Sequence, residues 1–438
     1  MSVLVPWGGV ARRKGLSDEH IFLLVVLGAA SFFDGYDASV HTIALTQIRE
    51  TFDLTKSGAS ILYACIYLGA LPAIAITRRA DRIGRRRMLV VSVLGYTLFS
   101  GLTSLAPNAG AFTATQFMQQ VFLVAESAIV WTMAAEELPA SARGFGFGVL
   151  GMNNALGVGA AAIIFGGFLE PNGVSWRWMY VLSVPPLLFV AFLRRRLPES
   201  RRFVDAKQRG ALAERWQEIL GPSVRRWLIL VVTVTFLTQL IHQASTFTID
   251  FLETDRGMSA ATASFMLVFS GLPGIPMMVA AGALSDRFGR RLVGCACALA
   301  SVIGAIGFFW LPGGVPVLLP CMSLTVVGQM GAYPVLQTYT SELFPTALRS
   351  SASSWASLAG VFGRAGSLAL AAPLLAVLSQ SATATILGIG PVIAVILFAV
   401  CFPDTHGREL EDITGEDTGE HTRDRSLTPT MPPAALLD

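Results

Sequence analysis

The sequence predicts an all-α membrane protein: twelve transmembrane helices arranged as two parallel six-helix repeats. Two observations carry this. The first is composition: mean hydropathy of +0.59, 53% hydrophobic residues and 14% charged residues over 438 positions place most of the chain in lipid rather than water. The second is internal repetition. The block Thr77-Arg78-Arg79-Ala80-Asp81-Arg82-Ile83-Gly84-Arg85-Arg86 returns 205 residues later as Gly282-Ala283-Leu284-Ser285-Asp286-Arg287-Phe288-Gly289-Arg290-Arg291. Glu136-Glu137-Leu138-Pro139 with Arg143 returns as Glu342-Leu343-Phe344-Pro345 with Arg349, and Leu197-Pro198-Glu199-Ser200 as Phe402-Pro403-Asp404-Thr405. Three blocks in near-constant register mark a duplication.

A helix needs about 20 apolar residues to cross a bilayer. Twelve stretches meet this: residues 20–45, 58–77, 88–106, 111–135, 144–168, 177–193, 227–250, 260–284, 292–311, 315–340, 350–378 and 382–402. Six spans per repeat is an even number, so both repeats start on the same side and are related by an axis along the membrane normal. Of the 32 Lys and Arg residues, 27 fall on the amino-terminal side. Four (Arg49, Lys56, Arg177, Arg256) fall on the other side, and Arg364 lies inside a span. The positive-inside rule makes both termini cytoplasmic, and the expected location is the plasma membrane.

The chain accordingly divides into an amino-terminal half (1–193), a basic cytoplasmic linker (194–226) with a helical-looking stretch from Ala211 to Leu220, a carboxyl-terminal half (227–403) and a tail (404–438). The tail is acidic and then Ser/Thr/Pro-containing, which predicts disorder after about Glu411. The first 15 residues hold Arg12, Arg13 and Lys14 but no apolar core or cleavage site, so the first span is expected to direct insertion. Five cysteines lie in or beside spans without metal-ligand spacing and are expected to pack as small apolar residues; no metal and no cofactor is expected. A net charge of +3 without a polybasic run gives no sign of a nucleic-acid partner.

The repeated Asp81-Arg82-Ile83-Gly84-Arg85-Arg86 and Asp286-Arg287-Phe288-Gly289-Arg290-Arg291 resemble the loop motif of the major facilitator superfamily, between spans two and three and between spans eight and nine. The resemblance covers nearly the whole chain and implies the major facilitator fold, with a monomer as the expected unit. It also implies a cytoplasmic gate built from Asp81, Arg82, Gly84, Arg85, Asp286, Arg287, Gly289 and Arg290, joined by Glu136, Arg143, Glu342 and Arg349. The first copy departs from the pattern by placing Thr77 where Gly282 stands in the second. Asp34-Gly35-Tyr36-Asp37 is similar to a motif of aromatic-acid:proton symporters, and Gly35-Tyr36-Asp37 also fits sugar porters. Arg364-Ala365-Gly366 with Pro373 resembles a segment of acid and organic-anion transporters. In place of an arginine usual for this branch in span four, the chain has Gln116.

Ionisable residues inside a bilayer persist only where something compensates a cost of at least about 2.5 kcal/mol. Asp34, Asp37 and His41 are spaced i, i+3, i+7, on one face of a helix. A carboxylate in a poorly solvated cavity can take up a proton near neutral pH, which suits proton coupling. Asp34, Asp37 and Glu126 are the candidates, with Asp34 favoured for the proton; a fixed structural pairing is the alternative. The 205-residue offset maps Asp34 and Asp37 onto Gln239 and His242 of span seven. Tyr36, Gln120, Asn153, Gln239, His242, Gln243, Gln329, Tyr333, Gln337 and Arg364 are the candidate solute-binding groups, although amides in membranes also bind helices together.

No HExxH, GxSxG or phosphate-loop motif is present, so no enzyme is expected. The expected function is secondary active transport: proton-coupled symport of a small organic solute, an organic or aromatic carboxylate, by alternating access, with lipid, solute and protons as partners. The alternatives are a sugar or polyol porter and a proton-coupled drug or metabolite antiporter. The second would want a proline among the span-five glycines, and Gly148 to Gly167 has none.

Overall fold

A computed structural model describes residues 16–194, 222–344 and 349–403. It is all-helical among those residues. The helices are α1 (Asp18–Ile43), α2 (Lys56–Tyr67, then Ala70–Ile83), α3 (Arg85–Ser104), α4 (Ala109–Glu137), α5 (Ala140–Ile164) and α6 (Arg177–Arg194). The second half holds α7 (beginning Pro222–Thr238), α8 (Ala260–Gly271, then Gly274–Phe288), α9 (Arg290–Trp310), α10 (Val315–Glu342), α11 (Arg349–Val377) and α12 (Gln380–Cys401). Eleven of them are long and apolar enough to cross a membrane, making this a multi-pass membrane protein. The remaining helix, α6, carries Pro185 and Pro186 and an arginine at either end. Most of the linker, with Ala211 to Leu220, and the whole tail lie outside the described residues.

Side-chain oxygens start several helices on the face opposite the amino terminus. Thr55, Asn108, Ser259 and Ser379 accept bonds from the backbone N–H of Gly58, Ala111, Thr262 and Ala382 at the starts of α2, α4, α8 and α12. Each such cap contributes about 1 kcal/mol. The two copies of the repeated loop share one backbone device. Gly84 (φ 120°) and Gly289 (φ 91°) both sit where one helix stops and the next begins, a conformation that glycine adopts without strain. Small residues also let helices touch: a Cβ at Gly35 or Gly157 would overlap the backbone of the partner helix between α1 and α5. Gly304 and Gly328 serve α9 and α10 in the same way.

Three expected spans are interrupted. α2 breaks at Leu68–Gly69, where Gly69 presses on the Phe117 carbonyl of α4 (a Cβ there would lie 2.5 Å from that oxygen). α8 breaks at Leu272–Pro273, the corresponding place in the repeat, where proline has no N–H to donate. α7 departs furthest from the continuous helix expected over 227–250. After Thr238 it passes through a 3-10 turn (Gln239–Ile241), short helices (His242–Thr246, Thr248–Asp250) and a π turn (Phe251–Asp255). Ser367 of α11 is the cause at the first break. Its hydroxyl donates to the Leu240 carbonyl (2.6 Å) and accepts from the Gln243 N–H (3.0 Å), inserting a side chain into the helical ladder.

The two halves meet through α2 against α11 and α5 against the first segment of α8. On the face opposite the amino terminus, a π turn at the end of α5 (Phe165–Leu169) brings Gly166 against Ala261 and Ser264 of α8.

Candidate functional site

The break in α7 places His242 at the boundary between the halves, opposite α2, while Gln239 and the Gln243 backbone lie against α11. Tyr67, the last residue of the first α2 segment, meets the His242 ring edge-on at 5.0 Å between centroids. The Tyr67 hydroxyl lies 3.1 Å from His41 Nε2, and the His41 ring lies 5.3 Å from that of Tyr63. Arg364 of α11 acts electrostatically on both Tyr67 and His242. Several polar atoms here have no hydrogen-bond partner among the described residues: Arg364 Nε, His242 Nε2, and both side-chain heteroatoms of Gln243, which is 0% exposed. Gly363 lets α7 and α11 approach beside Arg364, since a Cβ there would come within 2.7 Å of Gln239 Cβ and of the Phe236 carbonyl.

The carboxylates of α1 form a second group, inside the amino-terminal half. Asp34 and Asp37 are both buried, Asp37 at 4% exposure with neither oxygen hydrogen-bonded among the described residues. Glu126 of α4 is fully buried and interacts electrostatically with Asp37. The sequence therefore brings together three acids from two helices, as the i, i+3 spacing and the mid-span position of Glu126 allow.

Some expected solute-binding residues are elsewhere. Tyr36 is 3% exposed and donates from its hydroxyl to the Met179 carbonyl of α6 at 3.0 Å, so it packs the amino-terminal bundle rather than facing the boundary. Asn153 donates to the Val149 carbonyl of its own helix (2.8 Å), whereas Asn154 donates to the Ser31 carbonyl of α1 (3.2 Å) and so ties α5 to α1. Gln116 donates to Gln119 and to Thr103. Gln120 lies at the α2 break beside Gly69, and Gln329 is exposed on α10. The side chains of Tyr333 and Gln337 lie outside the described residues.

The same holds for most of the expected cytoplasmic gate. The side chains of Asp81, Arg82, Arg85 and Asp286, and those of Glu136, Arg143, Glu342 and Arg349, lie outside the described residues. Gly84 and Gly289 occupy the helix junctions noted above, and Arg287 lies over the Phe288 ring at 5.3 Å.

An ionic network between the halves on the opposite face was not anticipated. Arg49, on the short helix Leu45–Thr51 after α1, pairs with Asp250 of α7. Lys56, at the start of α2, pairs with Asp255 and lies 3.5 Å from Asp250. Lys56 also donates to Gln380 of α12 (2.9 Å), whose amide in turn donates to the Phe247 carbonyl (3.0 Å). Bases of one half thus meet acids of the other. Glu253 stands beside this network with its carboxyl pushed up to about 7, first by burial and then by the charges of Asp250, Glu170 and Glu50. The other two basic residues of this face cap helix ends, where carbonyls carry partial negative charge. Arg177 donates to the carbonyls of Ser104 and Ala106 after α3, and Arg256 to those of Phe309 and Leu311 after α9.

Comparison with known proteins agrees with this architecture. The family model described as Major Facilitator Superfamily matches residues 27–367, with a second match over 232–431. The niacin transporter of Acinetobacter baylyi is 24% identical over 382 residues, covering 78% of this chain and 84% of the relative. The cis,cis-muconate transport protein of the same organism is 24% identical over 369 residues, covering 81% and 88%. Among solved structures, a D-xylose–proton symporter superposes with a TM-score of 0.74 at 20% identity, covering 89% of this chain and 99% of that one.

Proposed function

The chain belongs to the major facilitator superfamily and is a transporter of small organic solutes; from that premise we propose that it is a proton-coupled symporter of a small organic carboxylate. It works by alternating access across the plasma membrane, with both termini cytoplasmic and the Arg49–Asp250 face outside. Arg364 is the observation that carries the reading. A guanidinium stays protonated at physiological pH, so near the middle of a membrane helix it needs water, an acid or an anionic ligand. Here its Nε has no partner among the described residues, and its electrostatic neighbours are Tyr67 and His242. A carboxylate would supply the missing charge and accept two parallel hydrogen bonds from the guanidinium.

The coupling half of the reading rests on Asp34, Asp37 and Glu126. These carboxyls are buried in spans of the half that faces the Arg364 site. Niacin is itself a carboxylic acid and muconate a dicarboxylate, so the solutes named for two relatives fit an arginine-centred site. The polyol reading keeps one support, the buried amide of Gln243 with both heteroatoms free to bond a hydroxyl.

A ligand screen on the purified protein tests the substrate class, because a bound ligand stabilises the folded state by mass action. Nicotinate, cis,cis-muconate, xylose and tetraphenylphosphonium are compared by melting temperature, on wild type and on Arg364→Lys. Stabilisation by the carboxylates that is largely lost in Arg364→Lys is expected. Stabilisation by xylose or the cation alone, or an unchanged response in Arg364→Lys, contradicts the anion assignment.

A further inference from the structure

The start of α7 and the end of α12 meet at one level of the membrane. The apolar stretch of α7 begins at Val224 and that of α12 ends at Cys401, so Arg225 and Arg226 stand where the bilayer gives way to water on the amino-terminal side. The turn of the helix sets their direction. Val224 and Leu228 are buried in the core of the carboxyl-terminal half, whereas Arg225, Arg226 and Ile229, the last 57% exposed, lie on the outer face. Ile229 follows Arg225 by four residues and so sits one turn deeper on the same face. Arg225, Arg226, Ile229, Leu230 and Cys401 line an open pocket of about 440 Å³ between the two helices, basic at the water end and apolar toward the bilayer.

Two features set these arginines apart from bases that only mark membrane orientation. No acid answers them: among the described residues neither forms an ion pair, and Arg226 lies over the Trp227 ring at 5.0 Å. They also stand at the less favourable end of a helix, because the amino end carries partial positive charge and favours acids over bases. The repeat-related helix α1 follows that rule, opening with Asp18 and Glu19 behind a Ser17 cap. α7 instead opens Pro222-Ser223-Val224-Arg225-Arg226, with no acid in its first turn. Two guanidiniums and the positive end of a helix are thus concentrated beside one pocket, an arrangement that an anion relieves.

We propose that this pocket binds the head group of an anionic phospholipid. The phosphate accepts hydrogen bonds from the guanidiniums, whose planar fork matches phosphate oxygens. One acyl chain runs over Ile229 and Leu230 into the bilayer. The orientation proposed above puts the pocket in the cytoplasmic leaflet, whose negative surface attracts basic clusters of this kind. A soluble phosphate would satisfy the arginines but leave Ile229 and Leu230 uncovered, so the two-part lining favours the lipid. Bound there, the lipid ties the first turns of α7 to the end of α12, and α7 is the helix that leads on to Asp250 and Asp255 of the ionic network.

The test uses full-length protein in a neutral detergent, with native mass spectrometry and melting temperature as readouts. Dioleoyl phosphatidylglycerol, dioleoyl phosphatidylcholine and inorganic phosphate are the probes. Wild type is expected to hold phosphatidylglycerol about tenfold more tightly than phosphatidylcholine, the scale of one lost charge-assisted interaction, and to be stabilised by it accordingly. Arg225→Gln/Arg226→Gln should lose that preference. Cys401→Trp keeps both arginines but fills the apolar side of the pocket. It should weaken phosphatidylglycerol binding too, and it carries the test independently if the arginine variant does not fold. An unchanged preference for phosphatidylglycerol in these variants, or equal binding of the two lipids by wild type, would overturn the proposal. Stabilisation by inorganic phosphate as large as that by phosphatidylglycerol would identify a soluble anion as the occupant and overturn the lipid assignment.

Discussion

Replacing Asp250 by Asn is expected to open the face that the ionic network closes. Asp250 is 0% exposed and holds Arg49 and Lys56 of the opposite half, whose side chains are 17% and 21% exposed. Removing one member of a buried pair costs about 3–5 kcal/mol because its partner is left uncompensated. Partial solvent access to both bases, and the second acid Asp255 beside Lys56, reduce this to about 1–3 kcal/mol. Each 1.4 kcal/mol is a factor of about ten in the closed-to-open ratio. A cysteine at Ser57, in a background without other cysteines, should therefore react faster with an impermeant thiol reagent in Asp250→Asn. Arg49→Gln should act in the same direction, and the double variant should be less than additive because the two residues share one interaction. Equal reactivity in wild type and Asp250→Asn would mean that the network does not hold the halves together.

The second large effect is expected at Asp34. In Asp34→Asn, gradient-driven accumulation should vanish while exchange of labelled for unlabelled solute persists, since exchange needs the solute site but no net proton release. A gradient of one pH unit stores about 1.4 kcal/mol per proton and can support about tenfold accumulation. An uncoupled variant only equalises the two sides. Retained accumulation in Asp34→Asn would move the proton to the Asp37 and Glu126 pair, whose carboxyls interact electrostatically.

The spans and the duplication were legible because lipid imposes a length and an apolar run on every helix, and because Asp-Arg-x-Gly-Arg-Arg occurs twice. The junction glycines show why that motif recurs: Gly84 and Gly289 take a positive φ between helices in both halves. The repeat offset also pointed from Asp34 and Asp37 to Gln239 and His242, and His242 meets Tyr67 of the other half at the α7 break. The break itself was not legible, because its cause is Ser367 reaching in from α11, a contact between residues 124 or more positions apart. Helical spacing likewise could not say which side of α1 Tyr36 would take. His41 was legible as sharing a helix face with Asp34 and Asp37, but its packing against Tyr63 and Tyr67 joins α1 to α2, and no spacing within one helix encodes that contact.

The ionic network did leave a signal. Arg49 and Lys56 follow span one while Asp250 and Asp255 follow span seven, so the ends of repeat-related helices carry opposite charge. Counting the basic residues only as markers of membrane orientation hid their complementarity. The paired interruptions were also readable, with Gly69 before Pro72 in span two and Gly274 before Pro276 in span eight. Such matched Gly/Pro breaks in the two halves point to where a transporter binds its solute.

Proton-driven uptake into proteoliposomes tests the central claim most directly. Purified protein is reconstituted, an acid-outside gradient is imposed, and labelled nicotinate and xylose are followed with and without a protonophore. The account predicts that nicotinate rises above its external concentration, that this rise collapses with the protonophore, and that Asp34→Asn and Arg364→Lys vesicles do not show it. Accumulation of nicotinate that ignores the proton gradient, or gradient-driven accumulation of xylose without nicotinate, would contradict it.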